Sequence, residues 1–210
     1  MAILELQIDD APILRQKAAA VERIDDDLLQ LIEDMFETMY AVEGIGLAAP
    51  QVGILQRVII VDIEAHFCEY PLIALINPVI TEAIGEELGE EGCLSLPGRR
   101  GIVRRAMEVT VEGMLPNGKK IKFNADSLMA RVVQHEIDHL NGILFIDRLI
   151  AEDQKLLEER KEEVEEGKDT RCKMQDARYK IQDANPLNPE SAPHHENSLH
   201  RDERIRRSES

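Results

Sequence analysis

The 210-residue chain has no tryptophan, and aromatic residues make up only 3% of it. With so few rings, a core has to be built from Ile, Leu, Val and Met. No apolar run approaches the ~20 residues that cross a bilayer. The N-terminal stretch "MAILELQIDDAPILRQ" lacks the basic start and apolar centre of a secretory signal. Cysteines are scarce and odd in number: Cys68, Cys93 and Cys172, far apart. They form no disulfide framework, they suit a reducing cytoplasm, and they leave room for a functional thiol. Basic residues are the other shortage, with 25 Lys and Arg against 41 Asp and Glu, a net charge of −16. General nucleic-acid affinity needs the opposite balance, so neither direct DNA binding nor a membrane partner is expected. An apolar content of 43% over this length is enough for one domain with a real core.

In residues 25–42, Leu28, Leu29, Ile32, Met35, Phe36, Met39 and Tyr40 recur at helical spacing. Asp25 or Asp26 can cap this helix and Gly44 can end it. "RVIIVDI" and "PLIALINPVITEA" are rich in β-branched residues and read as strands. Pro78 demands an edge position or a bulge in the second. Residues 107–115 and 119–124 alternate on either side of Pro116–Gly118 and form a hairpin. Asp126 is placed to cap a helix running to about Leu140, with Gly142 just beyond. An extended piece, "ILFIDRL", and a second helical segment, "AEDQKLLEERKEEVEEG", follow. Residues 168–210 have few apolar side chains and are expected to form a polar, disordered tail after a folded domain of residues 1–167. Strands, a hairpin and then helices indicate an α+β fold, with mostly antiparallel strands around a central helix and another helix near the N-terminus.

"EGIGLAAPQVG" fits the dinucleotide fingerprint G-x-G-x-x-G/A at Gly44, Gly46 and Ala49. That fingerprint works between a strand and a helix N-terminus, and here a helix precedes it. The nucleotide reading fails on that context.

"VVQHEIDHLNG" carries H-E-x-x-H on the second helix. His135 and His139 share one face one turn apart, so both imidazoles can reach one ion, and Glu136 can reach a water upon it. A catalytic metal site usually has three protein ligands and one open position. The metzincin pattern would supply a third histidine where Phe145 stands, so it fails at its ligand. A downstream carboxylate (Glu152, Glu158 or Glu159) and the upstream thiol of Cys93, in "EEGCLSLPGRR", both remain open as the third ligand.

"GIGLAAPQVG", "EGCLSLP" and "QHEIDHLNG", in this order, resemble the three signature motifs of bacterial peptide deformylases, and the resemblance covers about residues 3–166. It implies Cys93, His135 and His139 as metal ligands, and Glu136 as general acid/base for a metal-bound water. It also implies that Gln51 and the Leu94 N–H donate to the oxyanion, that Gly46 bonds the substrate backbone, and that Arg100 holds the peptide further along. The implied reaction removes formyl from the N-terminal formyl-methionine of nascent chains, in the cytoplasm and near the ribosome. The implied metal is Fe(II), with Zn, Ni or Co as substitutes. Gly44, Gly46, Ala48 and Ala49 would then be small because a peptide and a metal site approach that backbone. Leu128 and Val132, one and two turns before the histidines on their face, could line a methionine pocket with Ile45. The competing readings are a general H-E-x-x-H zinc metalloprotease and a non-catalytic binding protein. His194, His195 and His200 lie in the polar tail without a scaffold and are read as solvent-exposed.

Overall fold

A computed structural model describes residues 2–63 and 72–151. The expected tail and the helical segment after Ala151 lie outside the described residues. The elements are α1 (Asp26–Ala41), β1 (Gly46–Ala48), β2 (Val58–Val61), β3 (Ile73–Ile84), β4 (Glu87–Cys93), β5 (Leu96–Arg105), β6 (Glu108–Met114), β7 (Lys120–Asp126) and α2 (Ser127–Leu140). One five-stranded antiparallel sheet has the order β1-β2-β3-β6-β7, and β4 and β5 pair as a separate two-stranded sheet.

The large sheet is covered on both faces, which is why β2 is apolar at every position and fully buried. Ile59 and Val61 of β2, with Leu75, Val109 and Val111, pack under Met129, Val132, Val133 and Ile137 of α2. Val58 and Ile60 point the other way, with Ala74 and Ile76, toward Ile32, Met35, Phe36 and Met39 of α1. A third cluster of Leu14, Leu96, Val103, Leu144, Phe145 and Leu149 ties the β4–β5 hairpin to the chain after α2. The metal-motif helix is thus wedged between the large sheet and the hairpin.

Helix α1 falls where periodicity put it and α2 where Asp126 and Gly142 bracketed it, and Asp25 caps α1 by accepting from the Leu28 amide. The left-handed residue ending α1 is Glu43, with φ 55°, and not Gly44. Pro78 sits at a bulge, where the β3–β6 register shifts between Ile76 and Val79. There Asn77, at φ 52°, pairs its side-chain amide with both the N–H and the C=O of Val21. Asp126 stands at the N-cap of α2 but makes no side-chain cap bond. The "ILFIDRL" piece is not extended throughout. Phe145–Arg148 forms a 3₁₀ turn closed by Asp147, whose carboxylate accepts from the Leu144 amide at 2.9 Å. The β4–β5 hairpin and the short β1 carried no alternation of apolar residues and were not foreseen as strands.

Candidate metal centre and cleft

Helix α2 carries His135 and Glu136 into the lining of an open cleft of about 730 Å³, with His139 fully buried one turn further on. The two imidazoles meet edge to face, with ring centroids 5.0 Å apart. Cys93 arrives from the end of β4, where the register with β5 shifts after Gly92. Its Sγ lies 3.3 Å from His139 Nε2, and one ligand atom from each of Cys93, His135 and His139 falls within 4.8 Å of the others. Of the two ligand options that the residues left open, the downstream Glu152, Glu158 and Glu159 lie outside the described residues, whereas Cys93 is at hand.

Two buried polar atoms here have no hydrogen-bond partner among the described residues: Glu136 Oε2 and His139 Nδ1. A carboxylate oxygen buried bare costs free energy unless something else satisfies it. A thiol, two imidazoles and a bare carboxylate oxygen are the donor set of a divalent transition-metal site with a water beside it. The residues present fit that group.

The loop before β2 supplies the opposite side. Ala49–Val52 is a 3₁₀ turn begun through Pro50, and it buries Gln51. Gln51 Oε1 accepts from the Ala48 amide at 2.8 Å. That bond leaves its NH₂ end facing Ser95 Oγ at 3.3 Å and Cys93 Sγ at 3.6 Å, so a donor is aimed at the metal-ligand cluster. β1 is an edge strand, and Ile45 C=O accepts from the Asp62 amide on its β2 side. The strand alternation therefore turns the N–H and C=O of Gly46 to the free edge. A Cβ on Gly46 would lie 2.5 Å from Glu136 Oε1 and 2.8 Å from Val132 Cγ1. One on Gly44 would lie 2.8 Å from Leu94 Cδ1. Gly46 thus makes room for Glu136 of the metal motif, in line with the expected approach of a metal site, whereas Gly44 makes room for Leu94, which that expectation had not included.

Ile45, Leu128 and Val132 line the cleft with Leu94. Leu94 occupies the turn between β4 and β5. Arg100 stands at the rim, largely exposed and paired with Glu90 at 2.9 Å.

Glu91 was missed. Its carboxylate is buried between Arg105, which donates through Nε and Nη2 at 2.9 Å each, Arg131 at 2.9 Å, and His135 Nδ1 at 3.0 Å. Arg105 also bonds Asp138, which in turn accepts from Arg148 at 2.5 and 2.6 Å. Burial works to raise the pKa of Glu91, but the bonds from His135 and Arg105 outweigh it and hold it at about 2. Its charge favours a proton on His135 Nδ1 and leaves Nε2 as the free ligand atom, the carboxylate–histidine pairing typical of metal ligands. Burial likewise depresses His135, yet its bonds with Cys93 and Glu91 raise it to about 10, and a cation at Nε2 would take that proton's place. Burial pushes Glu136 up to about 7 and His139 well below its usual value. The available signal for Glu91 was its position two residues before Cys93, on the same face of a strand.

An α+β domain that brings an H-E-x-x-H helix against a cysteine-bearing hairpin has the donor set of a metalloenzyme. The comparisons narrow this class. Residues 3–155 match the family model described as polypeptide deformylase. The peptide deformylase of Thermodesulfovibrio yellowstonii is 52% identical over 149 residues, which cover 71% of this chain and 90% of that one. That of Halothermothrix orenii is 48% identical over 157 residues, covering 75% and 100%. Among solved structures, a peptide deformylase from Synechococcus elongatus in complex with actinonin superposes with a TM-score of 0.71 at 44% identity, covering 77% of this chain and 89% of that one. The chain belongs to the polypeptide deformylase family.

Proposed function

We propose that this enzyme hydrolyses the formyl group from the N-terminal formyl-methionine of nascent polypeptides, releasing formate, and that Cys93, His135 and His139 hold the catalytic metal. The observation that carries the reading is the bare, buried Glu136 oxygen beside three convergent ligand atoms, with the Gln51 amide aimed at the same point. A divalent ion held there supplies Lewis acidity and lowers the pKa of a bound water toward neutrality.

The chain's own residues do the rest. The Gly46 backbone, on the free edge of β1, pairs with the extended substrate. Ile45, Leu128 and Val132 receive the methionine side chain, and Arg100 meets the peptide further out. Glu136 takes a proton from the attacking water and gives it to the leaving amine. Its raised pKa, about 7, suits a group that must both accept and donate near neutral pH. The Gln51 NH₂ and the Leu94 N–H donate to the carbonyl oxygen as it gains charge, an effect worth about 2.7–4 kcal/mol for one such donor. Fe(II) is the ion the family resemblance implies, and the N₂S donor set also suits Zn, Ni or Co. Action on nascent chains implies a cytoplasmic enzyme working near the ribosome. Among the described residues no helix is long and apolar enough to cross a membrane.

The test is formate release from formyl-Met-Ala-Ser by protein purified without oxygen, with an internally cleavable unformylated peptide alongside. Formate and a free α-amine from the first, with no cut in the second, is the expected result. Internal cleavage without formate would favour the general metalloprotease instead.

A further inference from the structure

Gly44 lies outside the metal ligands and the residues assigned to chemistry, yet its surroundings couple it to one of them. Its φ is not in the left-handed region, so backbone conformation does not demand glycine. Space does. A Cβ would sit 2.8 Å from Leu94 Cδ1, 3.1 Å from Met39 Cγ and 3.4 Å from Met39 O. Met39 is fully buried in the α1 layer and has only a few tenths of an ångström to give. Leu94 is half-buried, packs against that layer and borders the cleft. Its neighbours on both sides are constrained: Cys93 is in the ligand cluster, and Ser95, fully buried, is bonded by Gln51.

We propose that Gly44 is a positioning residue for the reaction. By leaving out a side chain it seats the Leu94 side chain against Met39, and so fixes the orientation of the peptide group whose N–H donates to the oxyanion. The inference rests on the role proposed above for the Leu94 amide. Gly46 is different, since its missing Cβ gives room to Glu136 itself. A methyl at Gly44 forces Cδ1 of Leu94 off its seat, a move that costs little stability for the tip of a half-buried side chain but displaces the residue that carries the donor N–H. Either the side chain turns into the cleft or the backbone carries the displacement, and a shift near 1 Å in a positioned group can cost ~10²-fold in rate.

The experiment is a double-mutant cycle on formyl-Met-Ala-Ser with metal content measured on every sample. Gly44→Ala should lower kcat about 10- to 100-fold with metal stoichiometry unchanged and KM altered less. Leu94→Ala removes the colliding atom and keeps the backbone N–H. In that background only the milder contact with Met39 remains, and adding Gly44→Ala should cost no more than about twofold, with unfolding midpoints measured on all four proteins. Activity of Gly44→Ala within twofold of wild type would overturn the inference. So would an equal loss in both backgrounds, or a loss that follows metal depletion. A wild-type protein that releases no formate would instead sink the functional reading and take this inference with it.

Discussion

Two carboxylates, one on each side of the cleft, are both buried, and they are held in opposite ways. Glu91, on the hairpin, spends both oxygens on two arginines and a histidine and is held at about 2. Glu136, on α2, lies against Val132 and the gap left by Gly46, keeps one oxygen bare and rises to about 7. The same side chain is held as a fixed charge where donors surround it and is pushed toward its neutral form where they do not, which suits the proton transfer proposed for Glu136. The hairpin repeats the contrast across its own thickness. Glu91–Arg105 is 4% and 3% exposed, whereas Glu90–Arg100 on the outer face is 53% and 76% exposed.

The contrast is easiest to break at Glu136. Glu136→Ala should cut kcat/KM by about 10²–10⁴, the range for loss of a general acid/base. Its metal content should stay near wild type and its stability should change little, because one of the two oxygens removed is buried without a partner. Formate kinetics, elemental analysis and urea unfolding on one preparation check all three. Glu91→Ala should show the converse. It leaves Arg105 and Arg131 facing a vacated site, and removing one partner of a buried ion pair costs about 3–5 kcal/mol. His135 also loses its orienting acceptor, so metal affinity should drop about 10- to 100-fold in chelator competition. Unfolding midpoints equal to wild type would show that the network is not structural. On the outer face, Glu90→Ala should change stability by less than about 1 kcal/mol, since exposed pairs are worth little. A larger change would erase the distinction between the two faces. Smallest of all, removing residues 168–210 should leave melting temperature and small-peptide turnover nearly unchanged, because that stretch offers little apolar surface to offset its ordering. A clear drop in melting temperature would place the domain boundary elsewhere.

Much of this was legible residue by residue. The first helix showed because Ile32, Met35, Phe36 and Met39 repeat with a helical period, and the second because Asp126 and Gly142 bracket it. β2 showed because burial on both faces leaves an unbroken apolar run. Cys93 as a ligand was not legible from spacing alone; it came with the motif "EGCLSLP". Glu91 was hidden among Glu86, Glu87 and Glu90 in a stretch that reads as a solvated face. Which of the four is buried depends on where Arg105 and Arg131 arrive, and that is a tertiary fact. Gly44 was read as room for a peptide and a metal site, and its neighbour turned out to be Leu94, fifty residues along the chain.

The central claim is that Cys93 completes the metal site with His135 and His139. It is tested most directly by measuring metal stoichiometry and formyl-Met-Ala-Ser turnover together, on wild type and Cys93→Ala purified without oxygen. Wild type should carry one ion per chain and release formate, and Cys93→Ala should lose most of the metal and, with it, turnover. Stoichiometric metal with near-normal turnover in Cys93→Ala would contradict the account.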